Sequence, residues 1–503
     1  MNLVKPLVVF STLLSALLAC APEQPVLTMG NNESSVTFSF VSRSPCDAPT
    51  VQLKNLADGS VQVVQQSDSS SYKDDAQLPG YVRYAYFFTT SVSNETKYSW
   101  LTDADDNKAI LGPFNFWLRD VAQRAAVRLA LIGDMDLTDF SKDTRAALMN
   151  MNWADYDGFM HEGDYAYDIQ NDDGTRGDTF FNYMKPVITN VPYLAIAGNH
   201  EVYKMGTLFN YRFRMPNYKP EWNNNFWYTT RGNVFIAFMT YDWLLTYTKS
   251  QAGLLEMVKI MDEILSKSSS FTWKVVVSHR ALYCGQLDRS DCKRNFLQFK
   301  PLEALYRKHK VDLLLSGHEH YYERLSLLDD QFTVQNQPYT KYTNEGVQIN
   351  KPPHPVQIMS GCAGNREIDR TDIDLKPTTI RTKFIGFTAC YNDLVFNATH
   401  FVFKNIAAAN GTVLDQVVLS KVDDPTPDKS DDLKKAILFG LIIIGGGLLS
   451  LAIYCKLRTT KPDGYDPANL TMYTAEDTQV FKNPSTYTIP AKGSADDDDQ
   501  VPA

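Results

Sequence analysis

The sequence lacks an excess of positive charge. Its 503 residues include 49 Lys and Arg against 58 Asp and Glu, a formal net charge of -9, and no basic stretch with interleaved aromatic residues. Because phosphate backbones are bound by clustered Lys and Arg, this disfavours a nucleic-acid partner. Hydrophobic residues (44%) and charged residues (21%) are ordinary for a globular chain, and the length predicts about one domain per 150 residues.

Cysteine is scarce and odd in number. Cys20 lies in an apparent leader and Cys455 at the edge of a late apolar run, which leaves five others: Cys46, Cys284, Cys292, Cys362 and Cys390. Five cysteines imply at least one free or intermolecular thiol. We expect a disulfide between Cys284 and Cys292, because the short loop between them closes easily, and a second between Cys362 and Cys390. Cys46 is left without an assigned partner.

Two apolar runs lie near the ends of the sequence. Residues 1–21 are typical of a secretory signal peptide, with Lys5, an apolar run over 7–18 and small residues at 19–21; a lipoprotein signal ending at Cys20 is the alternative. Residues 436–454 are uncharged, and at about 1.5 Å each they nearly match a hydrocarbon core of about 30 Å. They predict a transmembrane helix over 434–455; a buried core helix is the alternative.

Together these segments predict how the chain is oriented across a membrane. Residues 423–433 form a polar linker before the span, and 456–503 form a disordered cytosolic tail. The signal peptide decides the orientation, since the basic residues on the two sides of the span are balanced. We expect a type I single-pass protein whose folded part is extracellular or lumenal, at the cell surface or in an acidic endolysosomal or vacuolar compartment. Glycosylation sequons at four asparagines before the predicted span fit this placement: Asn32, Asn94, Asn397 and Asn410.

The pattern of residues 26–124 predicts a small all-β domain. Alternating stretches at 35–41, 61–64, 82–88 and 97–100 are separated by polar turns. Short strands at this spacing predict a β-sandwich. The sequence from 127 to 422 instead alternates apolar runs with predicted helices at 144–153, 254–267 and 301–310, which predicts an α/β domain with a mixed sheet.

Polar residues follow five apolar runs of this second domain. The runs are 127–132, 159–160, 191–197, 275–277 and 311–315. In open α/β sheets the ligand site lies beyond the carboxyl ends of the strands, so we expect the polar residues to meet there. They are Asp134, Asp164, Tyr167, Asn199, His200, His279, His318 and His320.

Asp164 is the centre of this set. One carboxylate can bridge two metal ions about 3.5 to 4 Å apart. Tyr167 lies three residues later. A free phenol with a pKa of about 10 binds metals poorly near neutral pH, but a strong Lewis acid such as ferric iron can hold it as phenolate. The Asp-x-x-Tyr spacing therefore indicates iron.

At these motifs the sequence closely resembles the purple acid phosphatases, within the calcineurin-like metallophosphoesterases, over nearly all of 26–422. The resemblance implies a fibronectin-like β-sandwich followed by a two-sheet α/β sandwich. It implies that Asp134, Asp164, Tyr167 and His320 hold Fe(III), and that Asp164, Asn199, His279 and His318 hold a divalent ion, Zn, Fe or Mn. Family likeness extends to 360–367 and 391–421.

The resemblance implies hydrolysis of phosphate monoesters by a metal-bound hydroxide, without a covalent Ser or Cys intermediate. A ferric ion acidifies water strongly, which favours activity at acidic pH. His200 would contact the phosphate and protonate the leaving group; a supporting role behind the ligands is the alternative. Asn199 and Arg280 would also contact the substrate, although a solvated charged loop is the competing interpretation for Arg280.

Two departures from the family pattern stand out. Family members usually have Asp-x-Gly where this chain has Asp134-Met135-Asp136, so the second carboxylate would either crowd the iron or hydrogen-bond outward. The loop after His279 has no further histidine before His309. We expect His161 to support the ligands from behind and Glu323 with Arg324 to form an ion pair that braces the 318–320 turn. The remaining histidines are predicted to be structural or exposed: His309, His354 and His400.

Two other functions compete with this prediction. A Ser/Thr protein phosphatase of the same superfamily would have Asp-x-His and Gly-Asp-x-x-Asp-Arg-Gly motifs, but Asp136 and Tyr167 stand at the diagnostic positions. A catalytically impaired membrane receptor or adhesion protein on a phosphatase scaffold is the second alternative, kept open by Asp136. The sequence does not indicate the oligomeric state.

Overall fold

A computed structural model describes residues 20–73, 78–104, 109–121, 125–242, 250–282, 300–325, 340–343, 346–367, 382–386 and 388–422. The N-terminal part contains the strands β1 (Glu23–Met29), β2 (Ser35–Ser42), β3 (Thr50–Asn55), β4 (Val61–Gln65), β5 (Asp68–Tyr72), β6 (Arg83–Ser91), β7 (Thr96–Ala104) and β8 (Ala109–Leu118). They form two four-stranded sheets, ordered β1-β2-β6-β5 and β4-β3-β7-β8.

The two N-terminal sheets share an apolar core. Phe38 and Phe40 of β2 and Phe88 of β6 lie in one cluster with Val51 of β3 and Trp100 of β7. The ring centroids of Phe38 and Trp100 are 4.8 Å apart. The four predicted strands are present with small changes at their ends; the likeness to fibronectin-type domains stays a prediction.

The C-terminal part is a mixed α/β fold. Its helices are α1 (Lys142–Asn150), α2 (Thr175–Ile188), α3 (Tyr203–Asn210), α4 (Gln251–Ser266) and α5 (Lys300–Lys308). Its strands are β9 (Ala126–Ile132), β10 (Gly158–His161), β11 (Tyr193–Ala195), β12 (Phe226–Arg231), β13 (Val234–Met239), β14 (Trp273–Ser278), β15 (Leu313–Ser316), β16 (Tyr322–Leu325), β17 (Thr340–Thr343), β18 (Gly346–Asn350), β19 (Val356–Ser360), β20 (Thr382–Gly386), β21 (Cys390–Asn397), β22 (His400–Ala407) and β23 (Val413–Ser420).

These strands form two sheets that enclose the main core. One has eight strands in the order β11-β10-β9-β21-β22-β23-β18-β17, and the other has seven in the order β12-β13-β14-β15-β19-β16-β20. Buried residues of both sheets, such as Leu129 of β9 and Val275 of β14, belong to one cluster. Met257 and Met261 of α4 pack on the outer face of the seven-stranded sheet with residues of α5. The predicted two-sheet α/β architecture is confirmed.

The helices show where sequence patterns fail. Those predicted at 144–153, 254–267 and 301–310 are present as α1, α4 and α5. Neither α2 nor α3 was predicted from the sequence. The interior of α2 holds Gly177 and Pro186, two residues that disfavour helices. Its apolar face, including Phe180, Phe181 and Met184, packs in the main core, and this burial outweighs the low propensity.

A buried ionic cluster joins the two parts of the chain. Asp178 of α2 accepts hydrogen bonds from Gln24 Nε2 at 2.7 Å, Tyr81 Oη at 2.8 Å and Arg83 Nε at 2.9 Å, all from the N-terminal part. Arg212, which follows α3, donates to the same carboxylate at 2.5 Å. The N-terminal sheets are thus fixed to α2.

The disulfides revise the cysteine assignment. Cys362 pairs with Cys390, as predicted, whereas Cys20 pairs with Cys46. This pairing conflicts with the predicted removal of residues 1–21 as a signal peptide, and that removal stays a prediction. The odd count of five cysteines no longer holds. The predicted pair of Cys284 with Cys292 lies outside the described residues.

The predicted membrane-associated segments have no counterpart in the described residues. No helix among them has the length and apolar character needed to cross a membrane. Residues 1–19 of the predicted signal peptide, the linker 423–433, the predicted span 434–455 and the tail 456–503 lie outside the described part.

Candidate metal centre

Five strand ends converge on the candidate site. In the eight-stranded sheet β9, β10 and β11 are parallel neighbours, and the chain leaves them toward Asp134, Asp164 and Asn199. In the seven-stranded sheet β14 and β15 are parallel neighbours, followed by His279 and by the 318–320 turn. The carboxyl ends of both sheets thus place their polar residues together, as the alternation of apolar runs and polar motifs predicted.

The first group of side chains contains Asp134, Tyr167 and His320. Tyr167 Oη lies 3.0 Å from His320 Nε2 and 3.4 Å from Asp134 Oδ1. His320 Nε2 is 3.8 Å from the same Asp134 oxygen. These three side chains, with Asp164, are the predicted iron ligands, and the structure brings them together.

The second group contains Asp164, Asn199, His279 and His318. His279 Nε2 lies 3.1 Å from Asp164 Oδ2 and 2.9 Å from Asn199 Oδ1, and its Nδ1 is 2.8 Å from the carbonyl oxygen of Glu162. The rings of His279 and His318 are 5.1 Å apart. A backbone carbonyl on Nδ1 fixes the ring and leaves Nε2 available as a ligand.

The geometry fits two metal ions that share one carboxylate. The ligand atoms of Asp134, Asp164 and His320 lie within 4.8 Å of one another, and so do those of Asp164, His279 and His318. Asp164 is the only member common to these two groups. Its Oδ2 is buried and lies 3.1 Å from His279 Nε2, so one cation could contact both atoms.

The electrostatics of the protein alone also point to a cation. Burial is the main cause that raises the pKa of Asp134 to about 7, and the nearby carboxylate of Asp164 adds to it. His279 acts in the opposite direction and lowers this pKa. Burial would raise the pKa of Asp164 too, but His279 and His200 hold it well below its usual value. Two carboxylates in a dry pocket repel each other, and bound cations would remove this cost.

The ligand loops hold strained backbone. Asp134, Asp164, Tyr167 and His318 have φ values of 65°, 56°, 43° and 74°, in a region that residues other than glycine rarely occupy. Such strain persists only where the surrounding structure enforces it, and it concentrates at functional sites. Gly317 permits this packing, since a Cβ there would lie 2.4 Å from Asp134 Oδ2.

His200 lies at the edge of the ligand cluster. Its Nδ1 is 2.6 Å from Asp168 Oδ1, and its Nε2 is 3.4 Å from Glu367 Oε2 and 3.8 Å from Asp164 Oδ2. Burial disfavours the charged ring, but Asp164, followed by Asp168 and Glu367, raises the pKa of His200 well above its usual value. The structure thus places an imidazole, held by Asp168, beside the predicted ligands.

Arg280 also lies in the site. Its Nε donates to Asp242 Oδ1 at 2.5 Å, and its Nη1 is 2.8 Å from His318 Nε2. The side chain is mostly buried, so the interpretation as a solvated charged loop does not hold for Arg280. The other basic residues of that loop lie outside the described part of the chain.

Two supporting residues were missed by the sequence analysis. Glu201 accepts hydrogen bonds from the backbone N–H groups of Asp164 at 2.8 Å, Tyr165 at 2.9 Å and Gly198 at 2.9 Å, which locks two ligand loops together. Asn365 donates to Tyr167 Oη at 2.7 Å. The signal for Glu201 was a carboxylate directly after Asn199-His200; Asn365 stands in the 360–367 stretch whose family likeness was noted without a role.

Asp136 points away from the ligand cluster. Its Oδ1 accepts from Thr138 N and Thr138 Oγ1, both at 2.7 Å, and its Oδ2 accepts from Arg366 N at 2.9 Å. Of the two outcomes left open by the sequence, outward hydrogen bonding is the one observed.

Of two expectations for neighbouring residues, one stays a prediction and the other was wrong. His161 is fully buried, its Nδ1 lies 2.8 Å from Tyr193 Oη, and burial lowers its pKa to about 3; its support of the ligands from behind stays a prediction. Arg324 pairs with Asp415 of β23, with Nε to Oδ2 at 2.8 Å. Glu323 is its neighbour in β16, and adjacent strand residues point to opposite faces, so the predicted Glu323–Arg324 pair is not formed.

Comparison with known proteins identifies the domain. The family description "Calcineurin-like phosphoesterase" matches residues 127–322, which include every predicted ligand. The chain contains a calcineurin-like phosphoesterase domain. The mouse (Mus musculus) protein "Acid phosphatase type 7" is 27% identical to this chain over 313 residues, covering 58% of this chain and 66% of the mouse protein. The human (Homo sapiens) protein of the same name is 27% identical over 306 residues, with the same coverage.

A solved structure supports the fold of the phosphoesterase domain and its surroundings. A purple acid phosphatase from yellow lupin (Lupinus luteus) seeds matches with a TM-score of 0.64 at 17% identity, covering 80% of this chain and 74% of that one. The alignments with the mouse and human relatives span slightly under two thirds of their length. The mixed α/β metallophosphoesterase fold expected from the sequence is thus confirmed.

Proposed function

We propose that this protein is an acid phosphatase of the purple acid phosphatase type, which hydrolyses phosphate monoesters at a centre of two metal ions. The observation that carries the proposal is the position of Asp164, common to the Asp134 and His320 group and to the His279 and His318 group. A carboxylate shared between two cation sites is the arrangement that two-metal phosphoryl transfer requires.

The metals proposed are Fe(III) and a divalent ion, Zn, Fe or Mn. Fe(III) is assigned to the group with Tyr167, whose hydroxyl lies 3.0 Å from His320 Nε2. A phenolate is a hard anionic ligand that a trivalent cation retains in acid. The divalent ion is assigned to the group with Asn199 and two imidazoles, a mixed donor set that zinc and its neighbours accept.

The chain's own residues supply binding and proton transfer. The bound ions would lower the pKa of a water molecule and stabilise charge on the phosphoryl group. Arg280, held by Asp242 beside His318, would donate to a phosphate oxygen. Asn199 would orient the phosphate, and His200, held by Asp168 at 2.6 Å, would donate its proton to the leaving alkoxide.

The alternative, an impaired receptor or adhesion protein, is not favoured. It rested on Asp136 and on the altered loop after His279. Asp136 uses both oxygens within its own loop and the 366 backbone, and every predicted ligand side chain lies in the cluster.

We also propose that the phosphatase domain works outside the cytosol, as a type I membrane protein. The support is the pair of disulfides, Cys20 with Cys46 and Cys362 with Cys390, because stable disulfides form in oxidising compartments. The apolar run at 436–454 would provide the membrane span.

The test is hydrolysis of an aryl phosphate by the purified full-length protein from pH 4 to 8, with bound metals counted by elemental analysis. We expect two metal ions per chain, an optimum below neutrality, and activity reduced to background in Asp164→Ala. Asp172→Ala is the matched control, since that carboxylate is exposed in the following loop, and it should retain activity. A folded wild-type protein with two bound metals and no activity would overturn the proposal.

A further inference from the structure

A basic cavity lies at the opposite end of the sheets from the metal centre. Its volume is about 400 Å³. The cavity forms where α5 leads into β15 and where β18 and β23 end side by side, with Asn350 opposite Ser420. The residues that line it are Arg307, Lys310, Val311, Asp312, Lys351, Pro352, Pro353, Pro355 and Lys421.

The charge of this cavity contrasts with the rest of the protein. Four of its nine lining residues are cationic and one is anionic, whereas the whole chain carries a net charge of -9. The one carboxylate, Asp312, already accepts from Lys421 and from the backbone N–H of Lys274. Burial lowers the pKa of Lys274, and the positive charges of Lys421 and Lys310 lower it further. The negative charge of Asp312 raises this pKa but does not outweigh them. Positive charge is therefore concentrated here.

Helix stability explains only part of this cluster. Arg307 lies in the last turn of α5, where cations are stabilised by the helix dipole, and it pairs with Glu303 one turn earlier. Lys351 and Lys421 instead come from strand ends of the other sheet. Lys421 pairs with Asp312, and Lys310 lines the same cavity from the end of the loop that precedes β15.

The backbone around the cavity is conformationally restricted at several positions. Lys310 and Lys351 have φ values of 56° and 45°, a conformation that residues with a Cβ rarely adopt. Pro352 and Pro353 follow Lys351 directly and fix φ. A preorganised cationic cavity loses little conformational entropy on binding, and its volume falls in the range of small-ligand sites.

We propose that this cavity binds the phosphate group of an anionic ligand, held by Lys310, Lys351 and the neighbouring Arg307. Lys and Arg bind phosphate by charge-assisted hydrogen bonds. Two sources have this chemistry: a free or small organic phosphate, and the headgroup of an anionic phospholipid. The site is separate from the metal centre, so its occupancy does not depend on catalysis.

The test is calorimetric titration of the full-length, metal-loaded protein, in which phosphate binding at the metal centre is common to the wild type and the cavity variants and is fitted as a separate site. The probes are inorganic phosphate, short-chain phosphatidic acid below its micelle concentration, and short-chain phosphatidylcholine as a zwitterionic control. We expect saturable binding of phosphate or phosphatidic acid at a second site, at least tenfold weaker in Lys310→Ala/Lys351→Ala. Equal affinity for the two anionic probes indicates a free phosphate ligand, and tighter binding of phosphatidic acid indicates a lipid.

The matched control is Lys54→Ala/Lys259→Ala, which removes two exposed lysines elsewhere and changes the net charge equally. It should bind as the wild type does. A thermal melt verifies folding of each variant, and Lys310→Gln/Lys351→Gln replaces the alanine pair if that pair unfolds. No binding of either anionic probe at a second site, or equal weakening in the control, would overturn the proposal.

Discussion

Asp178 is expected to be the most sensitive position for the stability of the whole molecule. Its carboxylate is buried together with the guanidinium groups of Arg83 and Arg212, and it is the one carboxylate that both contact in the described structure. We predict that Asp178→Asn lowers the free energy of unfolding substantially, because the variant leaves two buried cations without an anion.

The magnitude follows from what each arginine keeps. Arg212 retains the hydroxyl of Tyr81 at 2.7 Å and the amide oxygen of Gln24 at 2.9 Å, and Arg83 retains the Val82 carbonyl at 2.8 Å. Because these neutral acceptors remain, the expected loss in the free energy of unfolding is that of one broken buried ion pair, about 3 to 5 kcal/mol. Since about 1.4 kcal/mol is a tenfold change, the unfolding constant rises more than a hundredfold.

Urea unfolding of the full-length protein at pH 7 measures this effect. Asp172→Asn is the matched control, because Asp172 also pairs with an arginine, Arg176, but its side chain is 61% exposed. An exposed pair contributes at most about 1 kcal/mol. If Asp178→Asn destabilises no more than the control does, the ionic cluster does not hold the two parts together and the reasoning is refuted.

The pH dependence gives a second check. Burial tends to raise the pKa of Asp178, but Arg212 and Arg83 outweigh it and lower the pKa below the usual value. A depressed pKa in the folded state means that the stabilisation is complete above the unfolded pKa, about 3.9, and is lost only as the pH falls through the lower folded value. The difference between wild type and Asp178→Asn should therefore stay constant from pH 7 to about 4.5. A decline already between pH 7 and 5 would contradict this assignment.

Three further predictions use other measurements. Tyr167→Phe should abolish the visible absorption of a ferric phenolate while the metal content stays near two ions per chain; colour that persists would refute the tyrosine ligand. Asn32 and Asn410 are exposed, whereas Asn94 and Asn397 are half-buried, so peptide mapping should find higher glycan occupancy at the exposed pair, and equal occupancy would contradict the burial argument. The intact mass of the protein made in the secretory pathway should correspond to a chain that still contains Cys20, and reduction should add two hydrogens for the Cys20–Cys46 disulfide. A mature chain that begins at residue 22 would refute that pairing.

The ligand residues were predictable because each follows a short apolar run. An apolar composition predicts a buried strand, and the residue types that follow the strand indicate the chemistry at its carboxyl end. Asp134, Asp164 and His279 were found in this way, and the structure brings them together. The same logic located α1, α4 and α5, whose apolar periodicity is regular.

The contacts between distant segments could not be predicted. The cluster around Asp178 joins residues up to 188 positions apart, and no local pattern links Gln24 to Arg212. The Cys20–Cys46 disulfide escaped for a related reason, since leader-like composition assigned Cys20 to a removed segment. The Glu323–Arg324 pair failed because adjacency in sequence was taken for contact, although β16 separates the two side chains onto opposite faces.

Asp136 shows how a departure from a family pattern can support a site. The family glycine at this position lets the backbone approach closely, whereas here a carboxylate binds Thr138 and the backbone of Arg366. Arg366 follows Asn365, whose amide donates to Tyr167 Oη at 2.7 Å. Asp136 thus fixes the loop whose Asn365 contacts Tyr167. The second carboxylate of the first motif therefore supports the position of a predicted ligand from outside the cluster, and this explains how it coexists with the predicted ligand set.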